Sequence, residues 1–197
     1  MAKIKVLKAR DKDFVRTLAH AGRMTREQAT GIGMNQTRLR NFKADGYIER
    51  TYSYDKAQKD YVESFHLTEK GKSFVTTELG VDSFYRSNGI AHDVALAGEY
   101  GKLSLDEQRG WLTENDLRAL FQEKMQELRD QGDELRAMDL TNKLQEGLLS
   151  PGDGGYISES GSIVVMEVVT KHYGPDEIQA KEQFAQTLGA QLTQIKA

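Results

Sequence analysis

The run Asn35-Gln36-Thr37-Arg38-Leu39-Arg40-Asn41-Phe42-Lys43-Ala44-Asp45-Gly46-Tyr47-Ile48-Glu49-Arg50-Thr51-Tyr52 decides how the first third of the chain is read. Asn35 is a helix-capping residue, Leu39 and Phe42 share one face, and Asp45-Gly46 stops the helix. The rest of that helix surface carries Gln36, Thr37, Arg38, Arg40, Asn41 and Lys43, side chains able to reach bases and phosphates. After the stop, Tyr47 to Tyr52 alternates and is rich in aromatic and β-branched residues, as a strand is.

Upstream, Phe14, Val15, Leu18 and Ala19 form a helical stripe within Asp11 to Ala21 that closes at Gly22. Thr25, with Gln28 three residues on, opens a brief helix that runs out at Gly31-Ile32-Gly33. Downstream, the short polar stretch Asp55 to Asp60 separates the first strand from the alternating Tyr61 to Leu67, which makes a hairpin. Thr68 then opens a helix through Phe74, Val75 and Leu79.

Three helices, a two-stranded hairpin and a closing helix are predicted in that order. Through Asp45-Gly46-Tyr47-Ile48 and His66-Leu67-Thr68-Glu69-Lys70-Gly71, the segment resembles the winged helix-turn-helix family. The resemblance implies a recognition helix in the major groove of double-stranded DNA and a wing on the flanking backbone. Its expected DNA contacts are Thr25, Gln36, Thr37, Arg38, Arg40, Asn41 and Lys43, with Lys56 and Lys59 in the wing.

Charge supports that expectation. Met1 to Lys72 holds 16 Lys and Arg against 9 Asp and Glu, a net +7, whereas the remainder holds 11 against 21, a net −10. A basic unit is the electrostatic footprint of a phosphate-binding surface, and an acidic one is repelled by the same polyanion.

Composition removes other classes. A chain of 197 residues with 38 % hydrophobic content can build one large or two small cores. Cysteine is absent, which excludes disulfides, thiolate metal sites and cysteine nucleophiles. The charged opening and the lack of any long apolar run predict a soluble cytoplasmic protein with no membrane partner. His20, His66, His92 and His172 are scattered without zinc spacing, Gly152 to Gly155 lacks the Lys-Ser/Thr of a phosphate loop, and Ser158, Ser160 and Ser162 have no nearby base. No cofactor, metal or small-molecule ligand is expected.

In the second half, Val81 to Asn88 reads as a connector and Gly89 to Tyr100 as an amphipathic helix. Thr113 caps a helix with the stripe Leu117, Leu120, Phe121, Met125 and Leu128. The acidic run Glu114 to Glu146 is open to two readings: a helical hairpin used for self-association, or a cover over the C-terminal sheet. Pro151 to Gly155 reads as a tight turn, Ile163 to Val169 as a strand buried on both faces, and Asp176 to Lys196 as a final helix with Ile178, Phe184, Leu188 and Leu192 inward.

The order of a His-Asp-Val helix, Trp-Leu-Thr-Glu, a Gly-Asp-Gly-Gly hairpin, a hydrophobic strand with Glu and a Lys-bearing helix resembles the PD-(D/E)XK nuclease-like fold of plasmid and phage replication-relaxation proteins. That resemblance implies Asp153 as the turn acid, Glu167 as the strand carboxylate and Glu114 as a helix acid. It departs from the family where Val169 replaces the lysine and Gly152 the proline, leaving Lys171 and Lys181 as displaced alternatives.

The expectation is therefore an α+β chain: a winged helix-turn-helix DNA-binding domain over residues 1–79, then an acidic, degenerate nuclease-like helical and small-sheet domain over 80–197. It is expected to act without catalysis as a sequence-specific DNA-binding homodimer, a regulator or accessory factor of a phage or plasmid. The alternatives are a metal-dependent nuclease and a protein-binding adaptor with an acidic surface.

Overall fold

A computed structural model describes residues 2–55, 59–86, 89–171 and 173–197, apart from the Asp55 side chain. It is a mixed α and β chain of two compact units, Met1–Lys102 and Leu103–Ala197. The division falls beyond the expected boundary at residue 79.

In the first unit, α1 (Ala9–Ala21) is followed by β1 (Met24–Thr25), α2 (Arg26–Gly31), α3 (Gln36–Ala44), β2 (Ile48–Asp55), β3 (Asp60–Leu67), α4 (Glu69–Leu79) and α5 (Ile90–Tyr100). Local chemistry sets the helix starts. Thr25 Oγ1 accepts the Gln28 N–H at 3.1 Å while Gln28 Oε1 accepts the Thr25 N–H at 2.9 Å. Asn35 Oδ1 accepts the Arg38 N–H at 2.9 Å, and Thr68 Oγ1 that of Gly71 at 2.9 Å. The expected helices and hairpin strands all form.

The strands make an antiparallel sheet in the order β1-β3-β2. Its base is apolar, with Ile48 opposite Leu67 and Phe65 buried beside them. Phe14 meets the ring edges of Phe42 at 5.9 Å and Phe65 at 6.3 Å, so α1, α3 and the sheet share one core.

Helix α5 belongs to this unit, not to the second. Its Leu96, Ala97 and Tyr100 are buried, and Gln28 Nε2 donates to the Val94 carbonyl at 2.9 Å. Asp93, fully buried, lies 3.5 Å from Arg23 Nε, an interior ion pair that ties α5 to the segment after α1. The boundary moved because the connector is followed by a helix whose apolar face completes the first core.

The second unit runs α6 (Leu105–Arg109), β4 (Trp111–Thr113), α7 (Glu114–Asp130), α8 (Glu134–Gln145), β5 (Gly154–Ile157), β6 (Ile163–Val169), α9 (Pro175–Thr187) and β7 (Gln191–Lys196). The sheet order is β4-β5-β6-β7; the first two pairings are antiparallel, and β6-β7 is parallel through the α9 crossover. Val164 to Val168 are all buried, as the unbroken β-branched run implies.

Two expectations change here. The final helix stops at Thr187, Gly189 turns the chain at φ 66°, and Gln191 to Lys196 pairs with β6 as a strand. Leu188 and Leu192 stand at helical spacing in the sequence, which masks the alternation that follows Gly189. Leu117, Phe121, Met125 and Leu128 are core: they pack with Val165 and Phe184, and the Phe121 and Phe184 rings stack at 5.4 Å. Leu120 is half-buried. Of the two readings of the acidic run, its apolar stripe follows the one that covers the sheet. Among the described residues, no helix is long and apolar enough to cross a membrane.

Candidate functional site

The expected DNA-contacting residues divide sharply. Gln36, Thr37, Arg40 and Lys43 are exposed along α3, and Asn41 is half-buried. Arg38 is taken by the fold: its Nε donates to Asp11 Oδ1 at 2.9 Å, and one terminal nitrogen to Asp11 Oδ2 at 2.6 Å and to the Val6 carbonyl at 2.7 Å. Asp11 is fully buried, so this guanidinium neutralises an interior carboxylate. The Thr25 hydroxyl is likewise used as a cap. Lys59 is exposed at the hairpin turn with φ 55°, and Lys56 lies outside the described residues.

Arg40 and Lys43 face a cleft of about 240 Å³ whose other walls include Arg26, Gln36, Leu39, Arg50, Glu63 and Phe65. Glu63 bridges Arg26 at 3.0 Å and Arg50 at 3.2 Å, setting both cations beside α3. Four cations against one carboxylate leave the cleft positive. Arg40 and Lys43 make no ion pair among the described residues. Arg26 and Arg50 were not among the expected contacts. The signal for Arg50 was its place in the alternating strand, two residues before Tyr52; Arg26 had only its position after a capping threonine.

A second cluster sits in the C-terminal unit. Extending the β5-β6 register from Gly154 opposite Met166 sets Asp153 opposite Glu167. Asp153 Oδ2 accepts the Val168 N–H at 2.8 Å, and Glu167 Oε1 accepts the Tyr173 hydroxyl at 2.6 Å. Lys181, from α9, places Nζ 3.1 Å from Glu167 Oε2 and donates to the Pro151 carbonyl at 2.7 Å. Burial and the facing Asp153 push the Glu167 carboxyl above its usual range, against Lys181 and Tyr173.

Of the two lysines singled out in the sequence, Lys181 is the one that stands beside Glu167. Lys171 is exposed beyond β6, and Glu114 pairs instead with Arg118 at 2.8 Å. Tyr173 carried no sequence signal. Gly152, standing where proline was expected, is pressed against β6: a Cβ there falls 2.5 Å from Val165 Cγ1 and 2.6 Å from the Met166 carbonyl oxygen. Gly154 and Gly155 are confined similarly, by Trp111 and the Val164 carbonyl. Strand packing explains the glycine run.

No family model, curated protein or solved structure matches the chain.

Proposed function

We propose that the chain binds double-stranded DNA, with the first unit working as a winged helix-turn-helix: α3 enters the major groove and Lys59, at the turn of the β2-β3 hairpin, meets the backbone beside it. The observation that carries this reading is the cleft in which exposed Gln36, Arg40 and Lys43 of α3 adjoin Arg26 and Arg50. Gln and Arg read adenine and guanine edges, while the flanking cations hold phosphates. A single unit of this size has a small footprint, so two copies would share a site.

A salt titration tests it. Full-length protein is expected to bind duplex DNA with an affinity that falls linearly on a log–log salt plot. Lys43→Ala is expected to lower that slope by about one unit if Lys43 meets a phosphate, and Arg40→Ala to cost on the order of 1–3 kcal/mol if it meets a base. Salt-independent affinity, or binding unchanged in the double variant, rejects the reading.

A second reading, phosphodiester cleavage, is favoured by Lys181 standing 3.1 Å from Glu167. Two carboxylates are the donor kind that holds a divalent cation such as magnesium, which keeps several waters. Asp153 and Glu167 would hold it, and it would supply a Lewis acid at a phosphodiester. Within the chain, Tyr173 donates to one Glu167 oxygen and Lys181 stands as an ion pair against the other, which supports binding without cleavage as the first reading. Supercoiled and linear DNA are expected to stay intact with magnesium or manganese. Metal-dependent nicking that disappears in Lys181→Ala and Asp153→Ala would establish the second reading.

A further inference from the structure

One sheet face of the first unit changes character from base to tip. Ile48, Phe65 and Leu67 are buried at its base; outward on the same face come Arg50, then Tyr52 opposite Glu63, then Tyr54 opposite Tyr61. The three tyrosines are 54 %, 54 % and 68 % exposed. Tyr54 and Tyr61 meet edge to face at 5.4 Å, and the Arg50 guanidinium lies 5.1 Å from the Tyr52 ring centre. Between this face and α2 opens a groove of about 800 Å³ lined by Tyr52, Tyr61, Arg26 and Glu63 among others.

Aromatic side chains this exposed leave apolar area in water unless a partner covers it. Here the uncovered rings continue directly into a cationic cleft, and the pairing of π-faces with cations is what a single nucleic-acid strand requires: bases stack on the rings and phosphates follow the charges. Duplex DNA hides its base faces, so only an unpaired or frayed strand can use the rings.

We infer that the β2-β3 hairpin is a base-stacking platform that takes single-stranded DNA adjoining the duplex held by α3. Tyr52, Tyr54 and Tyr61 receive the unstacked bases, and Arg26 and Arg50, between the rings and α3, hold the phosphates at the junction of duplex and tail. The inference rests on the duplex-binding reading and gives the preferred target as a duplex with a single-stranded tail.

Fluorescence anisotropy with full-length protein separates the two claims. The probes are a blunt duplex, the same duplex with a short thymidine-rich tail, and a tailed duplex carrying 2-aminopurine in the tail. The tailed duplex is expected to bind on the order of tenfold tighter for each stacked base, and the 2-aminopurine emission to be quenched. Tyr54→Ala/Tyr61→Ala is expected to erase both effects while leaving blunt-duplex affinity unchanged, and Tyr54→Phe/Tyr61→Phe to retain them, because phenylalanine keeps the ring faces.

Equal affinity for blunt and tailed probes overturns the platform and leaves duplex binding standing, with the tyrosines then a protein-contacting surface. An alanine variant that weakens both probes alike also overturns it. Failure to bind either probe overturns both claims.

Discussion

Arg38 and Arg40 lie two residues apart on one helix and are expected to fail in opposite ways when replaced. Arg38→Ala removes three hydrogen bonds, two to the carboxylate of Asp11 and one to the Val6 carbonyl, and leaves that carboxylate buried. Breaking a buried pair from one side costs about 3–5 kcal/mol. The expected loss sits near the lower bound, about 3 kcal/mol, because Asp11 keeps the Lys8 N–H at 2.7 Å and the Arg38 side chain is 15 % exposed. The assay must read α3 itself, since the single tryptophan, Trp111, lies in the other unit. Amide hydrogen exchange at Leu39 and Phe42 does so, and a loss of about 3 kcal/mol accelerates exchange through unfolding by roughly a hundredfold. Asp11→Leu/Arg38→Met, which removes both charges, is expected to recover much of the loss. Arg40→Ala is expected to leave exchange unchanged within about 0.5 kcal/mol and to weaken DNA binding. Exchange in Arg38→Ala within twofold of the parent, with a larger DNA defect than Arg40→Ala, refutes this division of labour.

Three further perturbations probe the rest of the molecule. His66 is held below its ordinary pKa of 6.5 by burial and by the neighbouring Arg23, against Glu49. The unfolded chain therefore takes up this proton first as pH falls, and the stability present above pH 6.5 is lost below it; His66→Gln should flatten the first unit's urea stability between about pH 7 and about pH 5. Gly152→Pro, restoring the residue expected before the aspartate, should destabilise the second unit by about 1–3 kcal/mol or more through the close approach to β6, read by Trp111 fluorescence in urea; an unchanged midpoint refutes that packing argument. Phe121→Ala, which empties a fully buried position stacked on Phe184, should cost about 3–5 kcal/mol in the same assay, and a loss below about 1 kcal/mol would show that the site lies outside the core.

The elements of the first unit were legible because their signals are local. Caps at Thr25, Asn35 and Thr68, the Asp45-Gly46 stop and the strand alternation each lie within a few residues of the element they define. The pairing of Arg38 was not legible for the opposite reason: its partner Asp11 is distant in sequence, and a helix surface pattern does not show which cation an interior carboxylate will claim. In the second unit, Asp153 and Glu167 could be paired because a hairpin joins them. Lys181 enters from a crossover helix, so only the parallel β6-β7 topology reveals which lysine arrives. The terminal strand and β4 were missed because short strands take their identity from partners elsewhere in the sheet.

The attachment of α5 bears on how this protein could trade parts with others. A segment ending at residue 79 holds every expected DNA contact, yet it would leave Arg23 without Asp93, Gln28 without the Val94 carbonyl, and the apolar flank of α1 uncovered. Recombination that transplants the first unit onto a new C-terminal half must therefore carry the chain through Lys102. A crossover at the hairpin-helix junction yields a recipient with the right surface chemistry and an unfinished interior. The inheritable module of this chain is longer than its proposed binding surface by one whole helix.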